Sequence, residues 1–276
     1  LHVLTHSFPT RRSSDLLDTD KPEMLKGIEP SRLVELAFFA PQWMELVREH
    51  LKWKGFNEAY YYFVAHTKES DSEAKRAQIA LYTDLAPEDL ADGAFDARLF
   101  KEAFKLVGKK NFALFYDAAK YMGSSNYHSR ARRFADVTQG LIKETELYEQ
   151  IDKTRNKDAL CALGLVPLPK SKVDTALLKR YKRIQAFLKE SKQFGAQRQT
   201  SEKRTAEIAL INLARSAGYD DVIQLVWRME GHLVADNKAM LDGLEAEGYL
   251  IRIEIAADGD PLSHHGKPGQ SCRATQ

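Results

Sequence analysis

Cysteine is nearly absent: Cys161 and Cys272 are the two in 276 residues. Two thiols cannot build a disulfide framework or a multi-thiolate zinc site, and a reduced, cytoplasmic setting is the default expectation. Long apolar runs are missing too. None approaches the ~18–20 residues of a membrane span. LHVLTHSF is too short and too polar for the apolar region of a signal peptide, and Arg11 and Arg12 follow it instead of preceding it. The chain reads as soluble, untargeted and without a membrane partner. No G-x-x-x-x-G-K-[ST] and no G-x-G-x-x-G occurs, so neither a P-loop nor a dinucleotide fingerprint is available. Charge of one sign is not in excess. The net charge of +2 excludes a chain that is a strong polyanion binder throughout.

What is present is helical punctuation. Hydrophobic residues make up 43% and charged residues 29%, as in an ordinary globular protein of one large or two smaller domains. Pro30 and Ser31 signal a helix start, and Pro41 suits the first turn of a second helix, carrying Trp43, Leu46, Val47 and Leu51 and ending at Gly55. NEAYYYFVAHT is aromatic enough to be largely buried. Ser70, Asp71 and Ser72 are candidate caps for the helix after them. Gly108 should stop FDARLFKEAFKLVG, and Phe112, Phe115, Ala119 and Met122 then form one buried face. GSSN (123–126) reads as a linker. KETELYEQIDKTRNKDALCALGL is expected as one long helix ended by Pro167 and Pro169. Leu177, Tyr181, Ile184 and Leu188 make the stripe of the next helix, and Ala206, Leu210, Leu213 and Ala217 that of the one after, which Gly218 stops. DDVIQLVWRMEG suggests a short helix.

From Tyr249 the pattern alternates, with Asp258-Gly259 and Gly266-Lys267-Pro268 as turn signals for two or three strands. The expected fold class is mainly α, an irregular helical array or α-solenoid-like, with a small truncated β-hairpin region at the C-terminus. No clean repeat of fixed period is found. His6–Leu16, HSFPTRRSSDL, can be back-translated into a common sequencing-library adapter. Residues 1–16 are therefore expected to be an artefactual or disordered leader, 17–248 a helical domain, and 249–276 the start of a truncated β-rich segment.

Candidate chemistry is concentrated in a basic tract, 169–215, with Tyr181, Phe187 and Phe194 among its cations. Lys179, Arg180, Lys182, Arg183, Lys192, Arg198, Lys203 and Arg204 are its candidate anion or nucleic-acid contacts. The competing reading is the solvated face of two ordinary helices. The polar stretch Glu190–Arg204 offers an anion-binding turn at Gly195, or a plain connection with Gly195 after one helix and Thr200 or Ser201 capping the next. Arg130 and Arg133 are a possible phosphate clamp or ordinary ion-pairing residues. His264 and His265 are adjacent and point to opposite faces of a strand, which disfavours shared metal ligation. Cys161 reads as a small buried hydrophobe. No cofactor, metal or catalytic set is expected.

RNKDALCALGLVPL (155–168), FLKESKQFGAQRQTSEKR (187–204) and NLARSAGYDDVIQLVWRME (212–230) resemble a segment of the large bacterial molybdate metabolism regulator-like proteins. The resemblance runs from about Leu17 to the end. It implies a fragment in which a helical region precedes a C-terminal domain that is absent here. Some relatives are similar to proteins with a WGR module, which is associated with nucleic-acid binding elsewhere. The resemblance brings no catalytic residues. Three readings follow. The first is a non-catalytic scaffold or interaction segment, whose partner is another protein or the missing C-terminal domain. The second is a nucleic-acid-associated segment using 169–215. The third is an enzyme whose catalytic groups lie mainly in the missing part.

Overall fold

The structure is a computed structural model that describes residues 22–67, 72–122, 128–238, 242–255, 261–266 and 273–275. The leader, the GSSN linker, Ser70, Asp71, Cys272, Asp258-Gly259 and Lys267-Pro268 lie outside the described residues. Those residues form twelve α-helices and one antiparallel sheet, as the helical reading and its β-rich tail require. The chain divides into two compact units between Glu146 and Leu147.

The first unit holds α1 (Pro30–Phe39), α2 (Met44–Leu51), α3 (Phe56–Ala65), α4 (Glu73–Ile79), α5 (Pro87–Asp92), α6 (Ala97–Ala118) and α7 (His128–Thr138). Helix α3 is its centre. Phe56 and Ala59 to Ala65 are all buried, so that beyond the half-exposed Asn57 and Glu58 of its first turn the helix is surrounded. It packs against α6, α7 and α4. Aromatic rings fill the contact: Phe38 stacks on Tyr60 at 4.9 Å, while Phe56 meets Phe115 edge-on at 5.0 Å. Gly55 permits the close approach of α3 and α6. Its φ is +80°, and a Cβ there would lie 2.4 Å from the Leu106 Cβ. Gly108, at φ 77° and ψ 156°, breaks α6 into two segments where the sequence places a stop. Gly55, however, does not end α2. The helix ends at Leu51 with Lys52 in the left-handed region, and Gly55 precedes α3.

A buried polar chain ties the loops to this core. His66 is fully buried. Its Nδ1–H donates to the Tyr62 carbonyl at 2.7 Å, and its Nε2 accepts the Asp96 N–H at 3.1 Å. These two partners require the neutral ring with its proton on Nδ1. Asp96 in turn caps α6, accepting from the Arg98 and Leu99 N–H groups, and its other oxygen accepts from the Thr83 hydroxyl at 2.8 Å.

The second unit completes α8 (Glu144–Thr154) and adds α9 (Lys157–Leu163), α10 (Val173–Ser191), α11 (Ala196–Ala217) and α12 (Val222–Asp236). Leu177, Tyr181, Ile184 and Phe187 bury one face of α10, and Ala206, Ala209 and Leu213 one face of α11. Helix α9 packs tightly on α11, because Gly164 lies where a Cβ would meet the Leu213 nitrogen at 2.6 Å. Cys161 is buried as expected. Strands β1 (Leu244–Ala246), β2 (Tyr249–Ile255), β3 (Pro261–Gly266) and β4 (Arg273–Thr275) pair in chain order. The β2–β3 register sets Leu250 opposite Gly266 and Arg252 opposite His264.

Three further expectations are corrected. KETELYEQIDKTRNKDALCALGL is two helices, because the Asn156 side chain accepts the Ala159 N–H at 2.9 Å and starts α9 afresh. Helix α11 starts directly after Gly195, before Thr200 and Ser201, whose positions fall inside it. Helix α12 runs to Asp236, beyond the short segment expected.

Burial drives the His66 ring down to about 4, although the Tyr62 carbonyl and Asp96 pull the other way. Between this value and the unfolded ~6.5 the unfolded chain binds the extra proton. Stability is therefore fully present above pH 6.5 and declines as pH falls toward 4, by up to about 3 kcal/mol. Urea titrations of the first unit's transition should show this decline between pH 7 and 4.5. In His66→Leu, which is less stable at pH 7, the decline over that window should shrink.

Candidate functional site

The basic tract forms most of α10 and α11, and the structure places its cations in different settings. Arg180 is 1% exposed and donates to the carbonyls of Val166 (2.6 Å) and Pro167. It holds the proline-rich turn ahead of α10. Arg183 reaches Asp152 Oδ1 with Nε and Nη2 at 3.0 and 2.7 Å. Lys182 lies 3.7 Å from Asp236, Arg204 lies 3.9 Å from Glu207, and Lys179 sits over the Tyr148 ring at 4.7 Å. Lys192 and Lys203 are exposed. Arg130, outside the tract, is buried and donates to the Ala91 carbonyl, while Arg133 is half-buried.

Arg198 belongs to a cluster that sequence reasoning missed. At its centre is Glu202, 1% exposed. Arg155 grips both of its oxygens, at 3.1 and 2.7 Å, and Arg198 Nε adds a third bond at 2.9 Å. Arg155 also reaches Glu190 at 2.6 Å and the Phe187 carbonyl at 2.8 Å. Its guanidinium lies 3.9 Å from the Phe187 ring centroid, and Arg198 lies 3.6 Å from that of Phe194. Arg155 has φ 50°, at the break between α8 and α9. Burial alone would raise the Glu202 carboxyl, yet the hydrogen bonds from Arg155 and Arg198 outweigh it and hold the carboxyl below its ordinary value. The cluster is a tie between the α8–α9 break, α10 and α11. Its one advance signal is the Asn156 capping position directly after Arg155.

The first unit carries a groove of about 610 Å³ between the end of α1, α3 and the start of α4. Phe38, Phe39, Tyr60, Tyr61 and Tyr121 form its aromatic lining. The sequence shows these rings only as candidates for burial, since no spacing rule separates a ring that fills a core from one that walls a groove. A recess of about 810 Å³ at the α2–α3 turn is lined largely by charged residues such as Arg48, Glu49, Lys52 and Lys54. Its chemistry matches open solvated surface.

Arg155→Met should destabilise the second unit by about 3 kcal/mol, because the buried Glu202 carboxylate loses two of its three bonds. Glu202→Gln should cost less, since Arg155 keeps Glu190 and Arg198 is half-exposed. Urea denaturation of the two variants checks the order, and equal small losses would contradict a buried tie.

No curated protein and no solved structure gives a significant match. A model described as a family of unknown function (DUF5724) matches residues 2–229. That span is most of the chain, so the chain belongs to this family of unknown function.

Proposed function

We propose that this chain is a non-catalytic helical interaction segment of a larger polypeptide, docked through α12 against another domain of the same protein. The observation that carries this reading is a second apolar face on α12. Leu225 and Met229 are buried on one side. On the opposite side Ile223 (53% exposed), Trp227 (75%) and Val234 (58%) follow one another at helical spacing. A large aromatic flanked by aliphatics is the side-chain composition of an interface anchor.

The patch is small. Three side chains cover far less than the roughly 1,200 Å² at which stable free-standing complexes begin. Covalent linkage lowers that requirement, because the encounter becomes intramolecular. A covering domain in the same polypeptide therefore fits better than a separate partner. The likeness of 155–168, 187–204 and 212–230 to the large molybdate metabolism regulator-like proteins supports the same arrangement. The nucleic-acid reading draws less support. Arg180 is buried, and Arg183 and Arg198 already hold carboxylates, which leaves lysines (Lys170, Lys172, Lys179, Lys182, Lys189, Lys192 and Lys203) as the exposed cations that no buried carboxylate engages.

Tryptophan oxidation read by mass spectrometry tests the proposal, with half-buried Trp43 and Trp53 as internal references. Trp227 should react readily in the 276-residue chain and be protected in the full-length protein. Equal reactivity in both defeats the reading. Fluorescence anisotropy against DNA and RNA at low salt should show no tight binding, whereas tight binding that weakens steeply with salt would favour the nucleic-acid alternative.

A further inference from the structure

Tyr60, Tyr61 and Tyr62 are consecutive, and their hydroxyls have different fates. Tyr62 donates to the Ala131 carbonyl at 2.8 Å inside the core. Tyr60 and Tyr61 are 5% and 8% exposed and line the 610 Å³ groove. Among the described residues neither hydroxyl has a hydrogen-bond partner. Both side chains line the groove, and a hydroxyl that no protein group engages keeps its proton available to an acceptor that enters there.

The surroundings define what fits. Phe38 and Tyr60 are already stacked, and Tyr61 stacks on Tyr82 at 4.4 Å, so the floor is a set of ordered ring faces and edges. The exposed Phe39 ring stands at the rim. Thr67 donates to the Val64 carbonyl at 3.1 Å and keeps acceptor capacity. A phenol is protonated at neutral pH and can donate, and burial raises Tyr60 and Tyr61 further in the same direction. The volume lies within the range of small-molecule sites, roughly 300–1,000 Å³.

We propose that this groove binds a small, flat aromatic molecule that carries a ring carbonyl or equivalent acceptor. Its ring packs against the aromatic wall, and its acceptor takes the protons of Tyr60 and Tyr61. The site belongs to the first unit alone and is independent of α12 and the proposed docking there.

Coumarin, a bicyclic aromatic with a ring carbonyl, and naphthalene, its analogue without an acceptor, are suitable probes. Saturation-transfer NMR titrations use the whole 276-residue chain. Coumarin should bind more tightly than naphthalene. The double variant Tyr60→Phe, Tyr61→Phe keeps both rings, and it should weaken coumarin about ten-fold while leaving naphthalene unchanged. Ala74→Trp, an exposed substitution in the groove lining, should block both probes without changing the thermal melt. The proposal is overturned if the folded wild-type chain does not bind coumarin, if the double variant binds it as tightly as wild type, or if Ala74→Trp leaves coumarin affinity intact.

Discussion

A helix without a polar face has to be enclosed on every side, and beyond its first turn α3 is such a helix. Phe56 and Ala59 to Ala65 are buried, and only Asn57 and Glu58 in its first turn are half-exposed polar residues. Much of the first unit follows from enclosing it. Helix α6 approaches closely because Gly55 lacks a Cβ, and it turns at Gly108 so that Phe112 and Phe115 are both buried. Polar groups dragged into this interior have to be partnered within it. The Tyr62 hydroxyl finds Ala131, and His66 bridges the Tyr62 carbonyl and the Asp96 N–H. Asp96 then joins the core to the cap of α6 and to Thr83. Breaking one link leaves a buried donor or acceptor unpaired, which costs more than the bond itself contributes.

The second unit meets the same requirement with charge. Glu202 is buried on the inward side of α11, and a lone carboxylate there would be untenable. Arg155 answers it from the α8–α9 break and Arg198 from one turn earlier on the same helix. The left-handed backbone at Arg155 accompanies this geometry. Arg180 has a neutral counterpart of that role, holding the carbonyls of Val166 and Pro167 where two prolines interrupt the helices. A guanidinium bridges several acceptors at once through its fixed fork of donors, which a lysine cannot do.

This division between arginine and lysine explains what was legible in the sequence. Proline, glycine and capping signals are local, so Pro30, Ser72 and Gly108 mark their boundaries correctly. Apolar periodicity is also local and places Leu177, Tyr181, Ile184, Ala206 and Leu213 in the core. The partners of a charge are not local. Arg155 and Glu202 are 47 residues apart, and Arg183 and Asp152 are 31 apart. A run of cations therefore looks alike in sequence whether its members face water or tie helices together. The break at Asn156 was missed for a related reason: a capping side chain inside a helical period outweighs the propensities around it only once the second helix has somewhere to pack.

The tyrosine triplet shows the same limit from the opposite side. In sequence, Tyr60, Tyr61 and Tyr62 are three equivalent aromatic residues on one turn of a helix. In the fold, Tyr62 needs its hydroxyl for Ala131, whereas the packing at 60 and 61 needs only rings. Phenylalanine would give the same stacking against Phe38 and Tyr82 without desolvating an oxygen. Enclosing α3 therefore explains the rings at these two positions but not the oxygens. The two side chains line the groove between α1, α3 and α4, where the enclosure is incomplete, and an acceptor bound there is what the two hydroxyls lack among the described residues.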